Sequence, residues 1–388
     1  MLNCAGVFTR EIDDPNIALN EIKKQLDNKI TLRANTVGIV MCHPEFIASG
    51  TLRHVCDNLP FDTVGMTTAS QAVNDEANEH ILTIFIMTSD DVRFKAGITE
   101  SLSENAKTAV KTAYERVSDG EPEQPVLALI FPPFLMEHFS GDICIGAWKN
   151  VIPGTPFFGT YATDDTVTFM ESETIFNGMS TKDAVPFVLC YGNIKPRFFI
   201  ATLHENSALS LRAVVTKSKD NIIYEINNTN TRDFFTDSMG LSKSMLTFPL
   251  SVSSPAHDDN DGVQVIREHN YYTEDGASVF GGNIEEGAVI SLLKFDADSI
   301  LSTSLHEIKK ISGLQDVKGA LLFSCITRRM VVMGSGEPLA ELLLAKNNIT
   351  QDIPFMMGYS GGEICPTSTK DGIPSNRFHD SSMVVLVV

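Results

Sequence analysis

KGALLFSCITRRMVVMGSGEPLAELLLAKNNITQDIPFMMGYSGGE, residues 318–363, is the stretch on which the fold turns. An apolar run ending at Cys325 leads through ITRRM to PLAELLLAKNN, which reads as a helix. A second apolar run, IPFMM, then closes on Gly358 and the small residues Ser360, Gly361 and Gly362. Parallel strands need a crossover, and a helix is the usual one, so this order predicts a strand–helix–strand unit. Glycine at the end of the second strand permits close backbone approach at the sheet edge where open α/β folds bind ligands. MGSGEP (333–338) lacks the lysine spacing of a phosphate loop. It predicts a turn and a helix start instead, with Ser335 as cap.

The same order occurs twice upstream. TVGIVMCHPEF (36–46) precedes a helical stretch and then PFDTVGMTTAS (60–70), with Gly65 near its end. PVLALIFPPFL (125–135) precedes SGDICIGAWKNVIPGTPFFGTYATDD (140–165), with Gly159 in the equivalent place. HILTIFIM (80–87), AVPFVLCYG (184–192), RFFIATL (197–203) and NSALSLRAVVT (206–216) add further strands. Near the N-terminus, DPNIALNEIKKQLDN (14–28) predicts a helix capped by Asp14, with Pro15 at its first position and Ile17, Leu19, Ile22 and Leu26 on its apolar face. TNTRDFFTDSMG (229–240) predicts a short helix stopped by Gly240. The expected architecture is α/β: mixed β-sheets flanked by helices, built from repeated strand–helix–strand units in two packed modules. The division is placed at about 220, giving an internally duplicated module over 1–220 and a second over 221–388.

Composition narrows the function. The chain has 388 residues with 49 acidic against 30 basic, a formal charge of -19. That balance, with Lys and Arg scattered, offers no footprint for nucleic acid or an anionic membrane, so a small ligand or a protein partner is expected. No run approaches the ~18 apolar residues of a membrane-spanning helix, and the N-terminus has no signal-peptide pattern. The cysteine count is odd, seven, with no C-x-x-C, and Cys42, Cys190 and Cys325 end apolar runs. A reduced, cytoplasmic protein is the expectation.

Four segments resemble the FIST family: EINNTNTRDFF (225–235), TEDGASVFGGNIEEGAVISLL (273–293), VKGALLFSCITRRMVV (317–332), and GYSGGEICP with NRFHDSSMVVLVV (358–388). The resemblance covers both the N-terminal and the C-terminal module of that family. It implies a sensory protein of bacterial signal transduction that binds a small ligand, with amino acids proposed for the family. The family's Cys-x-x-Arg pattern falls on Cys325 and Arg328, its glycine–glutamate stretch on Gly358, Gly362, Glu363 and Ile364, and its ending on His379, Asp380 and Ser382. Departures are Thr327 for a glycine, Asp380 for an amide, Ser382 for a threonine, and a loop one residue short. Some family members are haem-binding nitric-oxide sensors acting on histidine kinases or cyclic-di-GMP enzymes. A histidine kinase, chemoreceptor or cyclic-di-GMP enzyme is accordingly the implied partner, reached in trans because the chain carries no such output segment.

The candidate ligand-binding residues are Cys325, Arg328, Gly358, Tyr359, Glu363, Asn376, Arg377 and His379. Arg328 offers a fork for a carboxylate and Glu363 an acceptor for an amine, a pair suited to a zwitterion. The alternative is that they bind each other, because buried charges must be paired. His379 beside Asp380 is either an oriented ligand contact or a structural histidine. The cofactor is not fixed by the sequence: haem needs one axial histidine, and nothing selects His43, His204 or His257. HDDNDGVQVIRE (257–268) begins with His and runs into strand-like alternation, so it reads as a solvated loop rather than a calcium loop. There is no G-x-S-x-G, metal-ligand helix or dinucleotide fingerprint, and the expectation is a binding protein, not an enzyme. An enzyme acting through Cys325 or Glu363 is the alternative from another class.

Overall fold

A computed structural model describes residues 1–134, 140–166, 168–203, 207–241, 248–253, 265–368 and 374–388. Three repeats make up most of it. The first runs β1 (Asn3–Thr9), α1 (Pro15–Lys29), β2 (Asn35–Cys42), α2 (Glu45–Ala48), α3 (Thr51–Asp57) and β3 (Asp62–Thr67). A hairpin, β4 (Gln71–Val73) and β5 (Glu76–Asn78), and a return strand, β6 (Leu82–Ser89), complete it. The second repeats this order as β7 (Val92–Ile98), α4 (Leu102–Val117), β8 (Leu127–Ile130), α5 (Gly141–Val151) and β9 (Phe157–Thr160). Its hairpin is β10 (Thr174–Phe176) and β11 (Met179–Thr181), and its return strand β12 (Pro186–Gly192).

The third repeat opens with β13 (Arg197–Ala201) and is then interrupted by a separate sheet. That sheet holds β14 (Ala208–Lys219), β15 (Ile222–Ile226), β16 (Thr229–Asn230), β17 (Pro249–Ser253), β18 (Ile266–Tyr272), β19 (Ser278–Phe280) and β20 (Val289–Leu293), with the short helix α6 (Thr231–Asp233). The repeat resumes with α7 (Ala297–Ser312), β21 (Ala320–Cys325), α8 (Ile326–Met333), α9 (Ala340–Asn348) and β22 (Phe355–Ser360). It ends with the hairpin β23 (Glu363–Ser368) and β24 (Pro374–His379) and the return strand β25 (Met383–Val387).

Each repeat builds one six-stranded sheet around its own parallel pair: β2 with β3, β8 with β9, β21 with β22. The return strand lies antiparallel beside the first of each pair, and β1, β7 or β13 forms the edge beyond it. The hairpin on the other side always comes from a different repeat: β10–β11 joins the first sheet, β23–β24 the second and β4–β5 the third.

Strand alternation sends one side chain inward and the next outward. Val37, Ile39 and Met41 of β2, Leu127 and Leu129 of β8, and Leu321 and Phe323 of β21 share one core enclosed by all three sheets. Their neighbours pack outward under the helices, Val40 and Cys42 in one cluster, Ala128 and Ile130 in a second, Ala320 and Leu322 in a third. The sheets are thus covered on both faces, which is why the strands read as unbroken apolar runs.

The recurring glycines have a steric basis. A Cβ on Gly65 would lie 1.7 Å from the carbonyl oxygen of Val40, and one on Gly159 1.8 Å from that of Ile130. On Gly358 it would meet the Met41 methyl at 1.9 Å. Just beyond them the strand-end loops of the three repeats bind one another. Thr163 donates its amide to Thr67 O (3.2 Å), Gly361 to Tyr161 O (2.9 Å), Tyr161 to Gly362 O (2.9 Å) and Tyr359 to Ser70 O (3.3 Å).

Local predictions hold at α1, where the Asp14 side chain accepts from the amides of Asn16 and Ile17 and Pro15 stands first. Its apolar face differs by one place, because Ile17 is exposed and Ala18 buried. Helix α9 starts at Ala340 without a side-chain cap, and Ser335 instead donates to Val332 O (2.6 Å), closing the end of α8. The predicted helix at 229–240 is α6 continued by a turn of π-helix over Phe234–Ser238. Among the described residues, no helix is long and apolar enough to cross a membrane.

Candidate ligand site at the third strand end

Strands β21 and β22 end together, Cys325 opposite Ser360. The chain turns through Gly361 and Gly362 into Glu363, which pairs across the β23–β24 hairpin with His379. Asp380, Ser381 and Ser382 then turn into β25, with Ser381 at φ 54°. This geometry buries Glu363 completely. Its carboxylate accepts hydrogen bonds from Ser360 Oγ (2.6 Å) and from Ser382 Oγ (2.8 Å) and N (3.4 Å). Burial pushes its carboxyl well above the usual range, against the two hydroxyl bonds that favour the charged form.

Strand β18 of the interrupting sheet brings a second carboxylate. Glu268 accepts a bond from Ser381 Oγ and donates its amide to Asp380 Oδ2 (3.3 Å). Asp380 is pushed up to about 8, by burial first, with Arg267 opposing and Glu268 adding to the shift. Three buried carboxylates therefore converge on one turn. Facing them is the buried Arg267, which donates to Asp142 Oδ2 (3.1 Å), Asn283 O (3.2 Å) and Phe378 O (3.3 Å). Gly281 and Gly282 make this approach sterically open, since a Cβ there would stand 2.7 Å from Asp380 Oδ1 and 2.6 Å from Arg267 Nε. Burial, and then the charges of Glu363, Glu268 and Asp380, push the Cys325 thiol up. Thr327 Oγ1 donates to its sulfur at 3.1 Å.

Arg328 lies one turn away and is already paired. Its guanidinium meets Glu341 Oε1 at 3.0 Å, with both side chains fully buried, and also donates to Ser304 Oγ (2.6 Å), Ile300 O (3.2 Å) and Ser381 O (3.3 Å). Glu341 accepts in addition from Ser324 Oγ (3.0 Å). Arg328 and Glu363 thus touch the same turn without binding each other, and Arg328 acts as the internal fixture of α8 against α9. Tyr359 sits behind that pair, its buried hydroxyl without a hydrogen-bond partner and its proton held tightly by burial and the charge of Glu341.

The remaining predicted residues divide. Arg377 and His379 line a narrow cleft with Arg267, Asp380, Ser382 and Asp142, whose free volume of about 20 Å³ admits one water rather than a metabolite. The His379 ring also bonds Cys365 O through Nε2 (3.0 Å). Asn376 faces elsewhere, accepting from Phe157 N and donating to Thr155 O, both at 2.7 Å, and so pins β24 beside the start of β9. Gly358 packs on Met41 and contacts no part of the cleft. Of the histidines weighed for haem, His204 and His257 lie outside the described residues, as does the loop 254–264; His43 is buried at the strand end of the first repeat.

Sequence reasoning missed Arg267, Glu268 and Glu341. A signal exists for each: Arg267 and Glu268 are adjacent charges inside the alternating run VQVIRE, and Glu341 is the one acid within the apolar stretch PLAELLLA. In both places a charge stands where burial is expected, which requires a partner.

Comparisons with known proteins follow the same lines. The FIST N domain family model matches residues 36–229, and the FIST C domain model matches residues 231–366. Among solved structures, a cyanuric acid hydrolase is similar at 10% identity over 100% of this chain and 99% of that chain. Its TM-score of 0.34 is too low for the likeness to bear on fold or chemistry. No curated protein matches the chain.

Proposed function

The chain belongs to the FIST family, whose domains are small-ligand sensory domains of signal transduction, and from that premise we propose that it senses an amino acid or a similar amine-bearing metabolite at the Glu363–Asp380–Glu268 cluster. The observation that carries this reading is the convergence of three buried carboxylates on the Asp380–Ser382 turn. Glu363 and Asp380, whose carboxyls burial pushes up, are a ready counter-charge for an ammonium group: its arrival lets them ionise. A ligand carboxylate is then served by Arg377, which also lines the cleft.

The cleft that Asp380 lines holds about one water, and Glu363 and Glu268 lie buried beside it, so binding requires this region to open. What closes it is contact between the interrupting sheet and the three-repeat core: Arg267 to Phe378 O, Glu268 N to Asp380, Ser381 to Glu268, and Gly141 N to Gly281 O. A ligand that favours the open arrangement shifts the sheet relative to the core, and differential affinity for the two states is what a sensor requires. The reading places the protein in the cytoplasm, with a histidine kinase, chemoreceptor or cyclic-di-GMP enzyme reading the shift in trans. Binding rather than turnover is supported by Cys325, whose thiol is held neutral, the reverse of an activated nucleophile.

The test is a thermal-shift and calorimetric screen of free amino acids against their N-acetylated forms. Free amines are expected to raise Tm and the acetylated forms to leave it unchanged, with Glu363→Gln abolishing the shift. Binding should release protons at pH 7, and affinity should rise with pH toward about 8, as Asp380 no longer has to be deprotonated. Equal shifts by free and acetylated forms, or none by any, would sink the reading.

A further inference from the structure

At the strand end of the first repeat, polar side chains from three places meet on one spot. His43 follows β2 directly, Glu45 opens α2, and His80 lies in the turn between β5 and β6. Backbone bonds fix this arrangement: His43 N donates to Ile81 O (3.4 Å) and His80 N to Asn78 Oδ1 (3.1 Å). One ligand atom from each of the three lies within 4.8 Å of the others. His80 Nδ1 is 3.3 Å from Glu45 Oε2, and His43 Nδ1 is 3.9 Å from the same oxygen. The two imidazole centroids are 4.4 Å apart. Donor atoms around a tetrahedral ion with bonds of about 2.0–2.1 Å are separated by roughly 3.3 Å, so small side-chain rotations suffice to close this set on a metal.

A second observation points the same way. His43 is buried, and its Nε2 makes no hydrogen bond. That nitrogen faces Asp165 Oδ1 at 3.4 Å, from the strand-end loop of the second repeat. Nδ1, on the other side of the ring, accepts a long 3.4 Å contact from the Glu45 amide and is the atom turned toward Glu45 and His80. A histidine with one nitrogen toward a carboxylate and the other toward further donors is the arrangement in which imidazole serves as an oriented metal ligand. The loop that carries Asp165 is anchored by its neighbour Asp164, which is fully buried and accepts from Thr166 N (2.6 Å), Glu171 N (2.9 Å) and Ser172 Oγ (3.0 Å).

We propose that His43, Glu45 and His80 bind a divalent transition ion of the zinc type, with Asp165 positioning His43 and a fourth position open to solvent. Two imidazoles and one carboxylate favour zinc, nickel or cobalt over magnesium or calcium, which take oxygen ligands. The seven cysteines are all buried and offer no competing surface thiol. The ion links the first repeat to the second through Asp165, and neighbours the third through Glu79, which pairs with Arg329 of α8.

The full chain, stripped with chelator, is titrated with Zn2+ against a chromophoric competitor, and with Co2+ for the absorption bands of a bound ion. One equivalent is expected to bind, with magnesium unable to displace it. His80→Ala, at an exposed position whose loss the fold tolerates, should weaken binding at least 100-fold, and Asp165→Asn by 10- to 100-fold. Absence of a stoichiometric site, or a site that His80→Ala leaves intact while the variant remains folded, would overturn the proposal.

Discussion

Asp380 illustrates how a single residue can set a protein's response to pH. Its folded pKa of about 8 stands above the ordinary 3.8, so the folded state holds the proton more tightly than the unfolded chain. Stability from this group is fully present below about pH 4 and is lost as pH climbs through about 8. The slope from one such group is at most about 1.4 kcal/mol per pH unit. Asp380→Asn removes the charge without changing the shape, and denaturant midpoints measured across pH 5–9 should fall less steeply for the variant than for the parent; identical slopes would refute this. At this scale the sequence was half legible. The position of Glu363 beside Cys325 follows from the paired ends of β21 and β22. Arg328 could not be resolved, because its partner Glu341 lies on a helix that packs against α8 only in three dimensions, and both acids look equally available in one. The clamp made by Asn376 was hidden for a similar reason: a side chain that holds a neighbouring strand looks, in sequence, like one that lines a pocket.

Elements were read best where one local rule dominates. Asp14–Pro15 is both cap and first turn, and α1 begins where it should. Strand β1 escaped notice because NCAGVFT is small and buried on both faces, leaving no period-two signal. The uncapped start of α9 shows the opposite failure, a good cap residue used to close the preceding helix instead. The strand-end glycines were legible as a pattern, and their contacts now rank them. Gly65 and Gly159 face backbone oxygens that cannot move without breaking a parallel pair, whereas Gly358 faces a methionine methyl that can rotate. Alanine at either of the first two should therefore cost at least about 3 kcal/mol, in the range of severe core overpacking, and at Gly358 about 1–2 kcal/mol. Chemical denaturation of the three variants checks the order, and a Gly358→Ala as damaging as Gly65→Ala would contradict it.

For the molecule as a whole, the repeats were visible and their exchange of hairpins was not. Sequence order says nothing about which sheet a hairpin joins; that choice is made by the loops at the strand ends, which bind one another across repeats. Because each of the three six-stranded sheets holds strands from more than one repeat, none of these sheets can unfold with one repeat alone. The chain's single tryptophan, Trp148, is buried in α5 of the second repeat and reports only on its surroundings. Gly65→Ala, in the first repeat, should nevertheless move the Trp148 fluorescence midpoint as far as it moves the circular-dichroism midpoint; a shift in one signal alone would show independent units. The edge strands carry a last consequence. β7 follows β6 into the second sheet and β13 follows β12 into the third, while the corresponding edge of the first sheet is β1, which lies where a continuation of β25 would run. Met1 and Val388 accordingly border the same crevice. Topologically the three repeats form a ring, each handing its next strand to the following sheet, with the seven-stranded sheet inserted in the third.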